Sequence, residues 1–133
     1  MSGTFVPAAE VVRQQLDWGW LGWVSRPAGT GAESLVVIEV TLAPGGGHAF
    51  HKHPQQEEVI YAIEGQVEQW REDEKRMLGP GDSVFLPAGT VHASFNTGDG
   101  NAKLLAILAP CIGGGDGYEV VEVADQPPWN GLR

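Results

Sequence analysis

The chain has little of what several common classes of function require. Its 133 residues include one cysteine, Cys111, which has no partner for a disulfide and cannot build the thiolate cluster of a structural zinc site. Basic residues are scarce: eight Lys and Arg stand against 17 Asp and Glu, a formal charge of −9. Such a surface repels phosphate backbones and anionic lipid, so neither nucleic acid nor a membrane is an expected partner. Long apolar runs are also missing. The longest, Leu104 to Ala109, stops at Pro110 and falls far short of the roughly 20 residues of a membrane-spanning helix. The first ten residues have neither the basic stretch nor the apolar core of a secretory leader. A cytoplasmic protein is the expectation.

What is present suits one compact all-β domain over residues 1–133. Apolar residues make up 42% of the chain, enough for one core. The 19 glycines and nine prolines keep uninterrupted stretches within the usual strand range. Leu35–Leu42, Val59–Ile63, Gln66–Trp70, Ser83–Leu86, Val91–Phe95 and Ala102–Ala109 are rich in Val, Ile, Leu and aromatics and read as strands, with a further one at Tyr118–Val123. Only Ala8–Leu16 reads as helical, as a short element within an N-terminal arm of residues 1–30; a second arm covers 112–133. The charged run Glu72–Arg76 reads as a solvated hairpin loop. Many short strands with regular turns indicate a sandwich or barrel.

Several features carry competing readings. Trp18 and Trp20 are two apart and share one face of an extended strand, with Trp23 on the other; they serve core or subunit packing, or form an aromatic wall for a ligand. Arg26 shares their parity and either meets a substrate carboxylate at the mouth or makes a surface ion pair. The clusters Gly45–Gly47 and Gly113–Gly117 lead into no helix with a following Lys-Ser or Lys-Thr, so they are turns and not phosphate loops.

The histidines carry the chemistry. His51 and His53, two apart in an extended segment, point to the same side and can reach one point. Glu58 returns a carboxylate from the next strand, and His92 follows the Pro87-Ala88-Gly89 turn. Three imidazoles and a carboxylate suit a divalent transition metal, whereas Ca and Mg prefer all-oxygen shells. His48 lies an odd number of residues from His51 and fails on parity, which leaves it at the mouth as a substrate-contacting residue or behind the ligands.

Residues 45–65 read GxxxxxHxHxxxxExxxxxxG and residues 81–96 read GxxxxxPxGxxHxxxN. The pair resembles the two characteristic motifs of the cupin superfamily at every defining position. The resemblance implies a double-stranded β-helix, a jelly-roll barrel, with one metal ion (Fe, Mn, Ni, Cu or Zn) held by His51, His53, Glu58 and His92. Glu57 is a rival for the carboxylate, since the family tolerates three or four residues after the second His. The six residues between Glu58 and Gly65 favour Glu58, and strand alternation turns Glu57 outward. Gly65, Gly81 and Gly89 then supply tight turns, Pro87 the bend before His92, and Asn96 a hydrogen-bonding residue at the barrel edge.

With Glu58 inward, Ile60 and Ala62 also face the lumen, as does Ser94 beside His92, while Val59, Tyr61, Ile63 and Lys52 face away. That lumen is mostly apolar. Proton transfer falls to a water on the metal or to Glu58 acting as a base. Three functions fit: a dioxygenase-like enzyme on a small oxygen-rich substrate; a non-redox isomerase, epimerase or lyase of a sugar acid; and a non-catalytic small-molecule binder. Small cupins commonly dimerise, and the Trp-rich strand suits a homodimer contact.

Overall fold

The computed structural model describes residues 2–133. Eleven strands run β1 Val12–Leu16, β2 Gly19–Ser25, β3 Val36–Leu42, β4 Gly47–Lys52, β5 Glu57–Glu64, β6 Val67–Arg71, β7 Glu74–Leu78, β8 Ser83–Leu86, β9 His92–Phe95, β10 Ala102–Ala109 and β11 Val121–Glu122. They form two antiparallel sheets, ordered β1-β2-β3-β10-β5-β8 and β11-β4-β9-β6-β7. The two sheets face each other as a jelly-roll barrel.

Period-2 alternation builds the core between them. Along β3, Val36, Ile38, Val40 and Leu42 are buried and their neighbours half-buried; β10 repeats this with Ala102, Leu104, Ala106 and Leu108. Ala106 lies opposite Ile38 on one side and Ile60 on the other, so large and small residues fill one layer across three strands. Burial of each such Leu or Ile contributes about 1.5–3 kcal/mol. As the alternation predicts, Glu58, Ile60 and Ala62 face in, while Glu57, Tyr61 and Ile63 are exposed.

A second apolar cluster lies on the outside of the five-stranded sheet, where Phe50, Trp70, Val91 and Ala93 are covered by Val123, Trp129 and Leu132 of the C-terminal arm. Phe50 stacks on Trp129 with ring centroids 5.7 Å apart. Glu68 accepts hydrogen bonds there from Trp70 Nε1 (2.8 Å) and Arg133 Nε (2.6 Å).

The arms depart from the sequence-based expectation. Ala8–Leu16 is not a helix: a single 3-10 turn, Ala8–Glu10, leads into β1, which pairs along its whole length with β2. Nine residues with little apolar surface gain more from a sheet edge than from an isolated helix. Asp17 and Trp18 form the turn between β1 and β2, so Trp18 escapes the strand parity assigned to it; Trp20 faces solvent and Trp23 is the inward, buried tryptophan. The charged run Glu72–Arg76 is only half loop, since β7 begins at Glu74 and pairs with β6. Only Leu78 of β7 is buried, so no alternation announced that strand. The expected strand at Tyr118–Val123 shortens to β11, which covers the open edge of β4.

Two glycines fix close approaches. Gly65 turns the chain out of β5 with φ 75°, and a Cβ there would lie 3.0 Å from the Asn101 carbonyl oxygen. A Cβ on Gly47 would come within 2.5 Å of the Ser94 carbonyl oxygen, so only glycine lets β4 lie so near β9.

Candidate metal centre

β4 and β9 are neighbours, and His51 sits directly across from His92. His53 follows one residue beyond the end of β4. Its carbonyl accepts a hydrogen bond from Gly89 N (2.9 Å), which ties the turn before His92 to the His51–His53 segment. Glu58, near the start of β5, reaches in from the opposite sheet. The four side chains thus converge between the sheets, all buried. Ligating atoms of His51, His53 and His92 lie within 4.8 Å of one another. Glu58 Oε1 is 3.3 Å from His53 Nε2 and 2.9 Å from His92 Nε2.

The imidazoles are oriented from behind. Nδ1–H of His51 donates to the Ala49 carbonyl (2.7 Å), that of His53 to Glu119 (2.7 Å) and that of His92 to Thr90 (2.9 Å). A carbonyl can only accept, so Nδ1 carries the proton and Nε2 presents a lone pair. This tautomer and its fixed orientation are what a metal ligand requires. It also brings two acceptors, His92 Nε2 and Glu58 Oε1, face to face; both are buried and neither has a hydrogen-bond partner. A cation between them resolves that conflict, and the three-nitrogen, one-oxygen donor set fits a divalent transition ion.

Electrostatics agree. Burial, followed by the fields of His48, His92 and His53, holds the His51 pKa well below its ordinary 6.5, so this imidazole is neutral and free to ligate. Burial also pushes His53 down, but the adjacent Glu58 carboxylate, with the Glu119 carbonyl and Glu122, outweighs it and the net direction is up. Burial alone would raise Glu58; the close approach of His53 and His92 outweighs it and lowers its pKa to about 2. Glu58 is therefore an anion beside an apolar wall.

Above these four, the mouth is built from both arms. The Trp18 ring stacks on His48 (5.3 Å between centroids, 20° between planes), and His48 stacks on His51 (3.4 Å, 5°). His48 Nε2 donates to Glu122 Oε1 of β11 at 2.7 Å. The pairing of β4 with β9 shifts register between His48 and His51, and this bulge turns His48 toward the cavity despite its odd spacing. His48, His51 and Glu122 form a second group of closely spaced donor atoms that shares His51 with the first.

Two residues that sequence reasoning did not single out complete the site. Tyr118 lines the cavity with its ring 5.1 Å from that of His53 and edge-on to Trp23. Burial, then the charges of Glu58 and Glu122, raise its pKa, which keeps the hydroxyl protonated. Gln56, fully buried, clamps the arm: its Nε2 donates to the carbonyls of Pro110 (2.8 Å) and Gly117 (2.9 Å), and its Oε1 accepts from Glu119 N (3.1 Å). No motif marks either residue, because Gln56 acts on the backbone of a segment more than fifty positions away.

The remaining candidates lie elsewhere. Trp20 is on the outer face of β2, away from the cavity. Arg26 pairs with Asp116 (2.6 Å) and lies over the Trp23 ring, outside the lumen, so the ion-pair reading is the one its geometry matches. Asn96 donates to the carbonyls of Leu42 (2.9 Å) and Gly100 (2.8 Å) and accepts from Gly98 N (2.9 Å), a barrel-edge role. Ser94 faces the cavity but donates its hydroxyl to Gln69 Oε1 (2.6 Å). The apolar wall is formed chiefly by Ile38, Val40, Ile60, Leu104 and Ala106. The cavity beside it offers about 40 Å³ to the centres of water molecules. No helix among the described residues is long and apolar enough to cross a membrane.

Comparison with known proteins places this arrangement. The chain is 35% identical over 76 residues to quercetin 2,3-dioxygenase of Bacillus subtilis, which covers 57% of this chain and 22% of that protein. It is 39% identical over 64 residues to the dimethylsulfoniopropionate lyase DddQ of Ruegeria pomeroyi, covering 47% of this chain and 31% of that one. The chain thus spans only about a fifth to a third of these curated relatives. Among solved structures, KdgF from Halomonas sp. superposes with a TM-score of 0.71 at 23% identity, covering 80% of this chain and 94% of its own, a likeness of fold. Residues 38–108, more than half of the sequence and inclusive of all four converging side chains, match the family described as Cupin domain, and the chain belongs to that family.

Proposed function

We propose that the protein is a metal-dependent enzyme acting on a small oxygen-bearing organic molecule by a dioxygenase-type reaction, with one divalent transition ion held by His51, His53, Glu58 and His92. The observation that carries this reading is the buried, unpartnered pair of acceptors at Glu58 Oε1 and His92 Nε2, backed by three Nδ1–H groups fixed on carbonyls. Bound there, a divalent ion polarises substrate oxygens and, when redox active, supports reaction with O2. The chain's own residues do the rest. The apolar wall excludes water and holds the body of the substrate, and Glu58, kept ionised, holds the ion as a carboxylate. His48 and Trp18 contact substrate at the mouth, where their stacked rings already stand. The resemblance to a dioxygenase over half of the chain supports the same reaction class.

A non-redox isomerase or lyase reaction is the second reading, favoured by the resemblance to a lyase. Turnover of a panel of enediols, diketones and catechols by iron-, manganese- and zinc-loaded protein, with and without O2, separates the two. Oxygenase action requires O2 and is abolished in the zinc form. Undiminished anaerobic turnover sinks it, while loss of all activity on zinc substitution removes the second reading. We further assign a homodimer, supported by the exposed Trp20 and by β1 at the sheet edge, and a cytoplasmic location compatible with the free Cys111. Light scattering at micromolar concentration tests the dimer.

A further inference from the structure

The lumen is unusual in what it lacks. No lysine or arginine lines it. Arg26 is committed to Asp116 outside the barrel, and Arg13 and Lys103 both approach Glu39, away from the cavity. The acidic groups are the ones that come close: Glu58 within the cavity, and Glu122 at the mouth through His48. The hydroxyl of Ser94 is spent on Gln69, so among the described residues the donors that line the cavity outside the imidazoles and make no hydrogen bond of their own are the Tyr118 hydroxyl and the Trp18 indole N–H.

From this we infer that the site takes a small, uncharged, largely apolar molecule bearing two adjacent oxygens, and discriminates against substrates that carry a free carboxylate beyond the chelating pair. The inference rests on the metal reading above and narrows its substrate class. A carboxylate carried past the chelating oxygens would leave water for a wall of Ile38, Val40 and Leu104, with no lysine or arginine there to pair it. Size points the same way. The 40 Å³ open to water centres is room for about three waters, enough for the chelating head and a few carbons, with any remainder lying against Trp18 at the mouth. The Tyr118 hydroxyl donates a hydrogen bond to one of the substrate oxygens. This reading turns away from the sugar acids that the sequence alone left open.

The test holds the chelating head constant and changes only the tail. Zinc-loaded protein is titrated calorimetrically at pH 7 with butyrohydroxamic acid and with succinomonohydroxamic acid, in which a carboxylate replaces the terminal methyl. The apolar probe binds at least about tenfold more tightly, since the carboxylate enters without a partner. Placing a cation in the wall with Leu21→Lys, at a half-buried lining position, closes that gap by tightening the acid about tenfold. Equal or tighter binding of the acid by the wild-type protein overturns the inference, as does failure of both probes to bind when zinc is present. Zinc content of the same samples separates the levels of failure. Protein that holds zinc but prefers the acid defeats this inference alone, whereas protein that holds no zinc defeats the metal reading and this inference with it.

Discussion

The floor of the lumen and its mouth are built by different rules. On the floor, His51, His92 and Glu58 stand on regular strands, and two of the three imidazoles are oriented by carbonyls two residues away on their own segments, Ala49 and Thr90. At the mouth, Trp18 sits in a turn, His48 on a bulge, and Tyr118 and Glu122 on an arm from the far end of the chain. Local, strand-borne geometry is rigid because the sheet holds it. Geometry borrowed from arms depends on a few specific anchors, and is where one member of a widely used fold can differ from another.

The contrast is broken most severely at the floor. His51→Ala or His92→Ala removes most bound metal, a loss in affinity beyond the roughly 10–100-fold typical of outer-sphere changes, while the barrel still folds because its core of Ile38, Leu104 and Leu108 is untouched. Elemental analysis beside circular dichroism checks this, and full metal occupancy in both variants shows that the centre is misassigned. Gln56→Ala tests the anchor between the two regions. It leaves the Pro110 carbonyl and the Glu119 N–H without partners, while the Gly117 carbonyl keeps Ile112 N, which costs about 1–3 kcal/mol for each group left unsatisfied away from water, and lets the Glu119 carbonyl drift from His53. Denaturant unfolding should report the stability loss, with a metal affinity lowered about tenfold; unchanged affinity would show that the arm does not act on the floor. The smallest effect belongs to Arg26→Ala, about 0–1 kcal/mol for a surface pair, with no change in metal content. A larger loss of metal there would mean that the outer arm matters more than the geometry indicates.

The same contrast explains what could be read in the sequence. On β5 and β9, alternation correctly turned Glu58, Ile60, Ala62 and Ser94 inward and Glu57, Tyr61 and Ile63 outward, because period-2 side-chain direction is a property of the strand itself. It failed at His48, where an irregular pairing with β9 resets the count, and at Trp18, which is not in a strand. Ala8–Leu16 was misread because its β1 segment is a strand only by virtue of β2 beside it. Tyr118 and Gln56 were beyond reach: their roles come from a contact between residues about sixty positions apart, and nothing in either local sequence announces it.

His53 differs from the other two imidazoles in one respect. Its Nδ1–H is held by Glu119 of the C-terminal arm and not by a carbonyl of its own strand. A hydrogen bond between two parts transmits free energy in both directions, so whatever binds at the Nε2 of His53 and favours this ring orientation also favours the seated arm, by the same factor that the seated arm favours binding. The arm carries Tyr118 and Glu122 with it. Filling the centre and shaping the space above it are thereby a single thermodynamic event, and amide exchange along residues 117–123 should slow by that factor when the ion is added.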